Sequence, residues 1–573
     1  MSGRSKTGFE ILKVALVMGV LGDVLLRQMP WGLNVLLFNL AFVAGMVMLL
    51  MRRKSASLTP QTWALLGAQV FFAAMFVWRD SSELHVADSV AIVAILSVLF
   101  VPQLKVPPRV AGAFHYIAGF IFSAVSAAFA GFALLFADIK WSTTERSGWA
   151  KNSIAVVRGI LIVAPLILVF GGLFVAADAA YQGMVERVLN IDPATIFTHA
   201  ILFALFGWAS AGYLRGIMFG LAAQPAADPK SPRSKPEETA GTSKVDDLTN
   251  DSGEHPAVLP DSSNIIEHIN RSDPPDRSDG AKTETSPVRN GFDLAKLENS
   301  FLPSAFTLGS VEVGVILGLL DLLFLSFVIV QIPYLFGGMD FVQNTPDFKL
   351  AEYARRGFGE LVAVSALVLP VLLLGHWLIR KDNRFSEKLF RGLASVQLVL
   401  LFVIMASAVQ RLFVLTGPLG YGMTTVRVYP MIFMIWLAVV FVWFALTVLR
   451  GSRQYFAWGA LWAAFFILAG THFFNPDDFI VRTNVALMQQ GREFDTEYNS
   501  RLSDDAVPAL AAALNGISPE DRCHIVSTVR YRVGSAEDRS DLRSWNLSRM
   551  KARSFLEQME DEVRDKDCSY YPF

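Results

Sequence analysis

Residues 311–335 read VEVGVILGLLDLLFLSFVIVQIPYL, running from Val311 to Leu335 with Glu312 and Asp321 as the only charges. As a helix this stretch is about 37 Å long, enough to cross a hydrocarbon layer of about 30 Å. The pattern recurs on both sides of it. Before it lie Ile11–Leu26, Trp31–Met51, Gln61–Trp78, Val86–Leu104, Ala111–Ala137, Ser153–Ala177 and Thr195–Leu221; after it lie Gly357–Ile379, Gly392–Leu415, Tyr429–Leu449 and Tyr455–Phe474. Their apolar residues are not spaced at the period of a soluble core but run on for about 18 to 26 positions. The fold class that follows is all-α, a polytopic transmembrane helical bundle whose first partner is the lipid bilayer.

Composition agrees. Hydrophobic residues make up 53% of the chain, charged residues only 18%, and mean hydropathy is +0.42. Soluble domains carry about 25% charge. A net charge of −1 without a concentrated basic arm argues against a nucleic-acid partner. From residue 222 to about 300 the composition inverts to Pro, Ser, Asp, Lys and Glu with almost no aromatics. Such a stretch buries too little apolar surface to offset its ordering entropy, so a disordered polar linker is expected there. The chain thus divides into an N-terminal transmembrane bundle (1–221), the linker (222–300), a C-terminal transmembrane bundle (301–474) and a tail (475–573). The tail reads as a small helical domain, with Asp504-Asp505 capping Ala506–Leu514 and an amphipathic helix near Asn546–Val563.

Charge in the loops sets an expected orientation. At the N-terminus Lys13 and Asp23 interrupt the first apolar run, and no small-residue cleavage site precedes Gln28-Met29-Pro30-Trp31, so a retained helix is expected rather than a signal peptide. Arg52-Arg53-Lys54, Arg380-Lys381 with Arg384, Lys388 and Arg391, and Arg450 with Arg453 should face the cytoplasm. That places the N-terminus and linker inside and the tail outside. One conflict arises. Lys105 with Arg109, and Lys140 with Arg146 and Lys151, flank a single apolar segment yet both look cytoplasmic. Either one basic loop breaks the bias, or Ala111–Ala137, rich in Gly and Ala, enters as a re-entrant hairpin.

Cys523 and Cys568, the two cysteines of the chain, both fall in the tail. On an oxidising side a disulfide between them would close a loop of about 45 residues and stabilise the domain by roughly 3–4 kcal/mol. Two unrelated thiols are the alternative.

Several blocks have a family character. They are Pro30-Trp31-Gly32-Leu33-Asn34, Phe174-Val175-Ala176-Ala177-Asp178-Ala179-Ala180-Tyr181, Ala351-Glu352-Tyr353-Ala354-Arg355-Arg356-Gly357-Phe358 and Thr424-Thr425-Val426-Arg427-Val428-Tyr429. Asn475-Pro476-Asp477-Asp478 through Arg482-Thr483-Asn484, and Ser544-Trp545-Asn546-Leu547-Ser548-Arg549, complete the set. Together they resemble bacterial membrane proteins of the domain of unknown function 4173 family, related to family 4153. The resemblance covers both bundles and the tail and leaves the linker outside. It implies an inner-membrane protein, with no assigned activity and no catalytic residues to carry over.

Ionisable groups within apolar helices are costly and default to functional hypotheses. Asp23 and Asp321 are the deepest carboxylates, and Arg158 and Arg411 are the cations placed to neutralise them. Such a pair serves either a proton or ion pathway or the register of the helices, and nothing in the spacing demands transport. Glu352, Arg355 and Arg356 share one helical face near an outer surface, with Arg427 able to join them. That cluster suits either a phosphate or carboxylate headgroup or an interfacial anchor. Enzyme motifs are missing: there is no His-Glu-x-x-His, no phosphate-binding Gly-rich loop, no intramembrane Gly-x-Gly-Asp and no rhomboid-type serine motif. No catalytic residue, cofactor site or metal-ligand cluster is therefore expected. A structural, binding or sensory role in the envelope leads, and transport of a small solute or lipid follows.

Overall fold

The computed structural model describes residues 3–27, 29–52, 58–139, 193–220, 309–336, 358–379, 384–416, 422–533 and 541–564. The segment Ser153–Ala177 with Arg158, the linker, the cluster Glu352, Arg355 and Arg356, and Cys568 lie outside these residues. Residues 1–223 and 294–573 form one compact unit, and 224–293 lie outside the described residues.

This unit is all-α. Its membrane part contains α1 (Gly3–Leu26), α2 (Leu33–Arg52), α3 (Pro60–Trp78), α4 (Ser82–Phe100), α5 (Ala113–Ala133) and α6 (Pro193–Phe219). After the linker come α7 (Ser310–Phe336), α8 (Phe358–Leu378), α9 (Arg384–Thr416), α10 (Thr425–Thr447) and α11 (Phe456–Phe474). Ten of the described helices are long and apolar enough to span a bilayer, which makes this a multi-pass integral membrane protein. Of the expected spans, α1 has the length, but Glu10, Lys13 and Asp23 break its apolar run. The tail adds α12 (Pro476–Gln489), α13 (Thr496–Ser500), α14 (Val507–Ala513), α15 (Pro519–Val533) and α16 (Leu547–Arg564).

Three cores hold these helices. Ile11, Met18, Met46, Leu65, Phe72 and Ile95 belong to the first; Leu317, Leu372, Leu401, Phe441 and Phe444 to the second. The helix leading into the tail is shared, because α11 gives Phe465 to the first core and Phe456 to the second. The third core, in the tail, gathers Ile480, Leu510, Ile525, Val529 and Met559, and it takes Met423 and Val428 from the start of α10. Cys523 is buried within it. Lipid offers no hydrophobic drive between spans, so close approach of small residues matters. Gly19 on α1 illustrates this: a methyl added there would sit 2.8 Å from the Phe203 carbonyl oxygen on α6.

Of the two alternatives for Ala111–Ala137, the re-entrant hairpin is not formed. α5 continues through a π-helical turn at Leu134–Asp138 as one rod. Its glycines serve close packing, with Gly119 against the Ser97 carbonyl and Gly131 against Trp208, and an unbroken helix already satisfies its own backbone. Contacts fix where the two ends of this helix lie among its neighbours. At its start the Tyr116 hydroxyl donates to the Pro108 carbonyl at 2.9 Å, just past the end of α4. At its finish Asp138 accepts from Arg4 Nε at 2.6 Å and from Arg215 Nε at 2.8 Å. Gln103 ties the end of α4 to the end of α6 through the Ile217 carbonyl at 2.7 Å. Both ends of the rod are thus held where α1 begins and where α4 and α6 finish. Single cysteines at Lys105 and Lys140 should be labelled by a membrane-impermeant maleimide from the same side; labelling from opposite sides would show that α5 crosses.

Candidate functional site

The turn between α3 and α4, Arg79-Asp80-Ser81, places three polar or charged residues between two spans, and the tail is built onto it. Asp505 lies at the centre with its side chain 1% exposed. Its Oδ2 accepts the backbone N–H groups of Asp80 at 2.8 Å and Ser81 at 3.1 Å, while Oδ1 accepts from Arg79 Nη1 at 3.3 Å and Ser548 Oγ at 2.5 Å. Arg79 Nε donates onward to the His472 carbonyl at 2.8 Å, at the end of α11. The sequence assigned Asp504-Asp505 to helix capping. Ser503 does the capping instead, its hydroxyl accepting from the Asp505 amide. Asp505 is thereby free for the turn, and Asp504 accepts from Arg532 Nε at 2.8 Å.

The start of α16 supplies a second grip. Asn546 caps that helix through Oδ1 and donates Nδ2 to the carbonyls of Phe76 at 2.8 Å and Arg79 at 2.6 Å. Arg549 Nε donates to Asp80 at 2.7 Å and its Nη2 donates to the Trp31 carbonyl. Leu33 N–H reaches the Trp545 carbonyl at 3.0 Å. At Gly32 a methyl would come within 2.5 Å of that same oxygen, so only glycine admits the contact. From the other bundle, the Tyr429 hydroxyl lies 3.0 Å from Ser81 Oγ, and Asn484 accepts the Met423 N–H at 2.5 Å. Just inside the seam His472 Nε2 and Asp88 Oδ1 are 2.9 Å apart, both fully buried.

Beside this seam opens a cavity of about 540 Å³ whose wall includes Asp80, Glu83, Asp477, Asp495 and Glu497. Asp477 is 2% exposed, accepts from the Ser503 hydroxyl on Oδ2, and leaves Oδ1 without a partner. Burial, reinforced by the charges of Asp505 and Glu83, pushes the Asp477 carboxyl up to about 6. Burial likewise raises Asp80, against the lowering effect of Arg549, and raises Asp504, with Asp80 adding to it and Arg532 opposing.

The residues singled out in the sequence scatter. Asp23 meets His199, Nδ1 to Oδ2 2.6 Å, rather than an arginine. Asp321 is buried and neither oxygen finds a hydrogen-bond partner, so the expected pairing with Arg411 is absent. The two helices pack with Gly314 against Leu389 near the start of each, and so run parallel. Asp321 and Arg411 therefore sit at levels about 20 Å apart along the bundle axis. Arg427 donates to its neighbour Gly422. Missed altogether were Arg79, Asp80, Asp88, Asp138 and Arg215. The signal for the first two was the short polar turn itself, whose few residues leave no room for charges without a structural use. Four of the six family-like blocks, Pro30–Asn34, Thr424–Tyr429, Asn475–Asn484 and Ser544–Arg549, meet at this seam; the other two fall outside the described residues but for Phe358.

The chain belongs to the domain of unknown function DUF4153 family. The family profile matches residues 66–245 and 271–513. The resemblance in the sequence put family 4173 first and 4153 as its relative; the match is to 4153. It also extends over both ends of the linker, leaving 246–270 unmatched within it, and it covers neither Pro30–Asn34 nor Ser544–Arg549. No curated protein and no solved structure matches the chain.

Two outcomes follow for the seam. Asp505→Ala removes the acceptor of Arg79 Nη1 and of two amides, and removing one member of a buried pair costs about 3–5 kcal/mol. The variant should show a lower melting temperature in detergent and faster proteolysis of the tail; an unchanged protease pattern would remove Asp505 from this role. For Asp477 the folded carboxyl titrates above its ordinary value of 3.8, so the folded state binds the extra proton. That contribution to stability is complete below about pH 4 and is lost as pH rises through about 6. Asp477→Asn should match the wild type near pH 4 and exceed it above pH 6, by roughly 2–3 kcal/mol at most. Parallel melting profiles of the two proteins would exclude Asp477 as the group responsible.

Proposed function

We propose that this protein is a binding or sensing module of the bacterial cell envelope, anchored in the inner membrane, with the seam cavity as its ligand site. The observation that carries this reading is the cavity's construction. Its wall combines Ser82 and Glu83 from the first bundle, Thr425 from the second, and Asp477, Tyr498 and Ser503 from the tail. A ligand there touches all three parts, so occupancy changes how firmly the tail is seated on the membrane helices. Its volume is that of a small-molecule site, typically about 300–1,000 Å³.

The orientation belongs to the same proposal. Arg4, Arg52, Lys105, Arg109, Arg391 and Arg453 come from both bundles, and contacts tie them to the end away from the tail. Arg52 meets Glu10 at 2.7 Å near the start of α1, and Arg109 lies over the Tyr455 ring at 5.7 Å. An excess of basic groups favours the cytoplasmic side, which leaves the tail and cavity extracytoplasmic and the N-terminus and linker inside. The buried charges favour binding over transport, because Asp23, Asp88 and Asp138 are each partnered locally. Asp321, without a partner in the other bundle, is the feature that favours transport as the second reading. No bond-making step is part of the proposal.

The test is a thermal-shift panel on the full-length protein in detergent, spanning amines, carboxylates, sugars and phosphates, beside Ser82→Trp, which fills the cavity from an exposed wall position. At least one compound should raise the melting temperature of the wild type and leave the variant unmoved. Uptake into proteoliposomes that Ser82→Trp does not alter would replace binding by transport.

A further inference from the structure

We propose that a second cavity, in the cleft between the two bundles at the end away from the tail, holds the headgroup of an anionic phospholipid. The proposal stands apart from the ligand reading of the seam cavity. This second space measures about 660 Å³. Ala64 near the start of α3 and Arg109 in the α4–α5 connection line one side of it. Trp443 and Thr447 at the end of α10, with Tyr455 and Trp458 around the start of α11, line the other. α10 gives Val428 to the tail core, so Thr447 lies about 28 Å farther along the helix axis. The cavity therefore sits where α3, α10 and α11, all of spanning length, end on the far side of the membrane part.

Charge selects the class of occupant. Among the described residues Arg109 is the only charged group on the wall. Its guanidinium lies over the Tyr455 ring, 5.7 Å from the centroid. That contact uses the face of the guanidinium and leaves its in-plane N–H donors for an acceptor. The Pro108–Val110 turn that carries Arg109 packs against the Arg453–Tyr455 turn, so Arg453 adds positive charge beside it. A guanidinium meets two phosphate oxygens at once with its parallel donors. No carboxylate on the wall is available to receive the ammonium of a zwitterionic headgroup. A phosphate with no compensating cation is what the site complements.

The rest of the wall decides between a lipid and a free phosphate. Thr447 donates its hydroxyl to the Trp443 carbonyl at 2.5 Å, and Trp443 Nε1 donates to the Tyr455 carbonyl at 3.4 Å. Their polar atoms are thus turned to the protein, and two indoles and a phenol ring supply most of the surface. A soluble anion would exchange water for these rings and one cation, which is a poor exchange for a charge. A phospholipid covers the rings with its glycerol and first methylenes while its chains stay in the bilayer. Trp and Tyr collect at the headgroup level for the same reason. Because the walls come from both bundles, a lipid bound here favours their docked arrangement.

The experiment uses full-length protein delipidated in detergent, with retained lipid counted by native mass spectrometry and melting temperature read in parallel. Phosphatidylglycerol is titrated beside phosphatidylcholine of the same chains, and glycerol 3-phosphate serves as the soluble phosphate ester. The wild type should retain a single phosphatidylglycerol, melt higher with it and prefer it to phosphatidylcholine by about tenfold, as one charge-assisted contact allows. Arg109→Gln should lose the preference and Arg109→Lys keep most of it. Ala64→Trp, which fills the cavity from the wall, should retain neither lipid. Arg109 and Ala64 are both exposed, so these variants keep the fold. Equal retention of the two lipids by the wild type, or an undiminished preference in Arg109→Gln, overturns the anionic headgroup. Glycerol 3-phosphate bound as tightly as phosphatidylglycerol overturns the lipid in favour of a soluble ester. Phosphatidylglycerol retention that Ala64→Trp leaves intact overturns the site.

Discussion

The carboxylate of Asp505, buried against two backbone amides and an arginine, is the constraint around which the extramembrane half of the protein is arranged. Taking a charge out of water costs several kcal/mol unless its lone pairs are met. Here they are met by donors from the α3–α4 turn and from the tail's last helix. Because those donors belong to segments more than 400 positions apart in the chain, the network forms only when bundle and tail are both in place. It seats the tail in one orientation on the membrane helices, and the cavity beside it inherits its walls from that seating.

A further feature depends on the same arrangement. α11 divides its aromatic residues between the two membrane cores and ends at His472, whose carbonyl receives Arg79 and whose ring meets Asp88. The helix that delivers the tail thus also packs into both membrane cores. Ion pairs occur at both ends of the bundle, Arg4 with Asp138 and Arg52 with Glu10 at one and Arg79 with Asp505 and Arg549 with Asp80 at the other.

Elements were easier to read from the sequence than their partners. The apolar runs gave helices because length and lack of charge are local properties that a bilayer selects directly. Asp321 and Asp23 stood out for the same reason, yet their partners did not follow. Arg411 is near Asp321 neither in sequence nor in space, since parallel packing of α7 and α9 places it about 20 Å farther along the axis. Asp504-Asp505 looked like a cap because Asp before an apolar run usually is one, but Ser503 stood one position earlier and took that task. The glycines and alanines of α5 suggested a bend, whereas Gly119 and Gly131 let a continuous helix approach its neighbours.

The sequence by itself determined that the chain is helical, that it lives in a membrane in two apolar groups around a polar stretch, and that a polar tail follows the last span. Those are statements about solvent preference summed over neighbouring residues. The tertiary structure alone decided which charges meet, because a buried carboxylate is stabilised by whatever donors the packing brings within about 3 Å. It decided that Arg79, Asp505 and Arg549 form one seam, that four scattered blocks of sequence converge there, and that an acidic cavity opens beside them. Hydrophobicity is written locally and electrostatic partnership is not, and the candidate site belongs to the second kind of information.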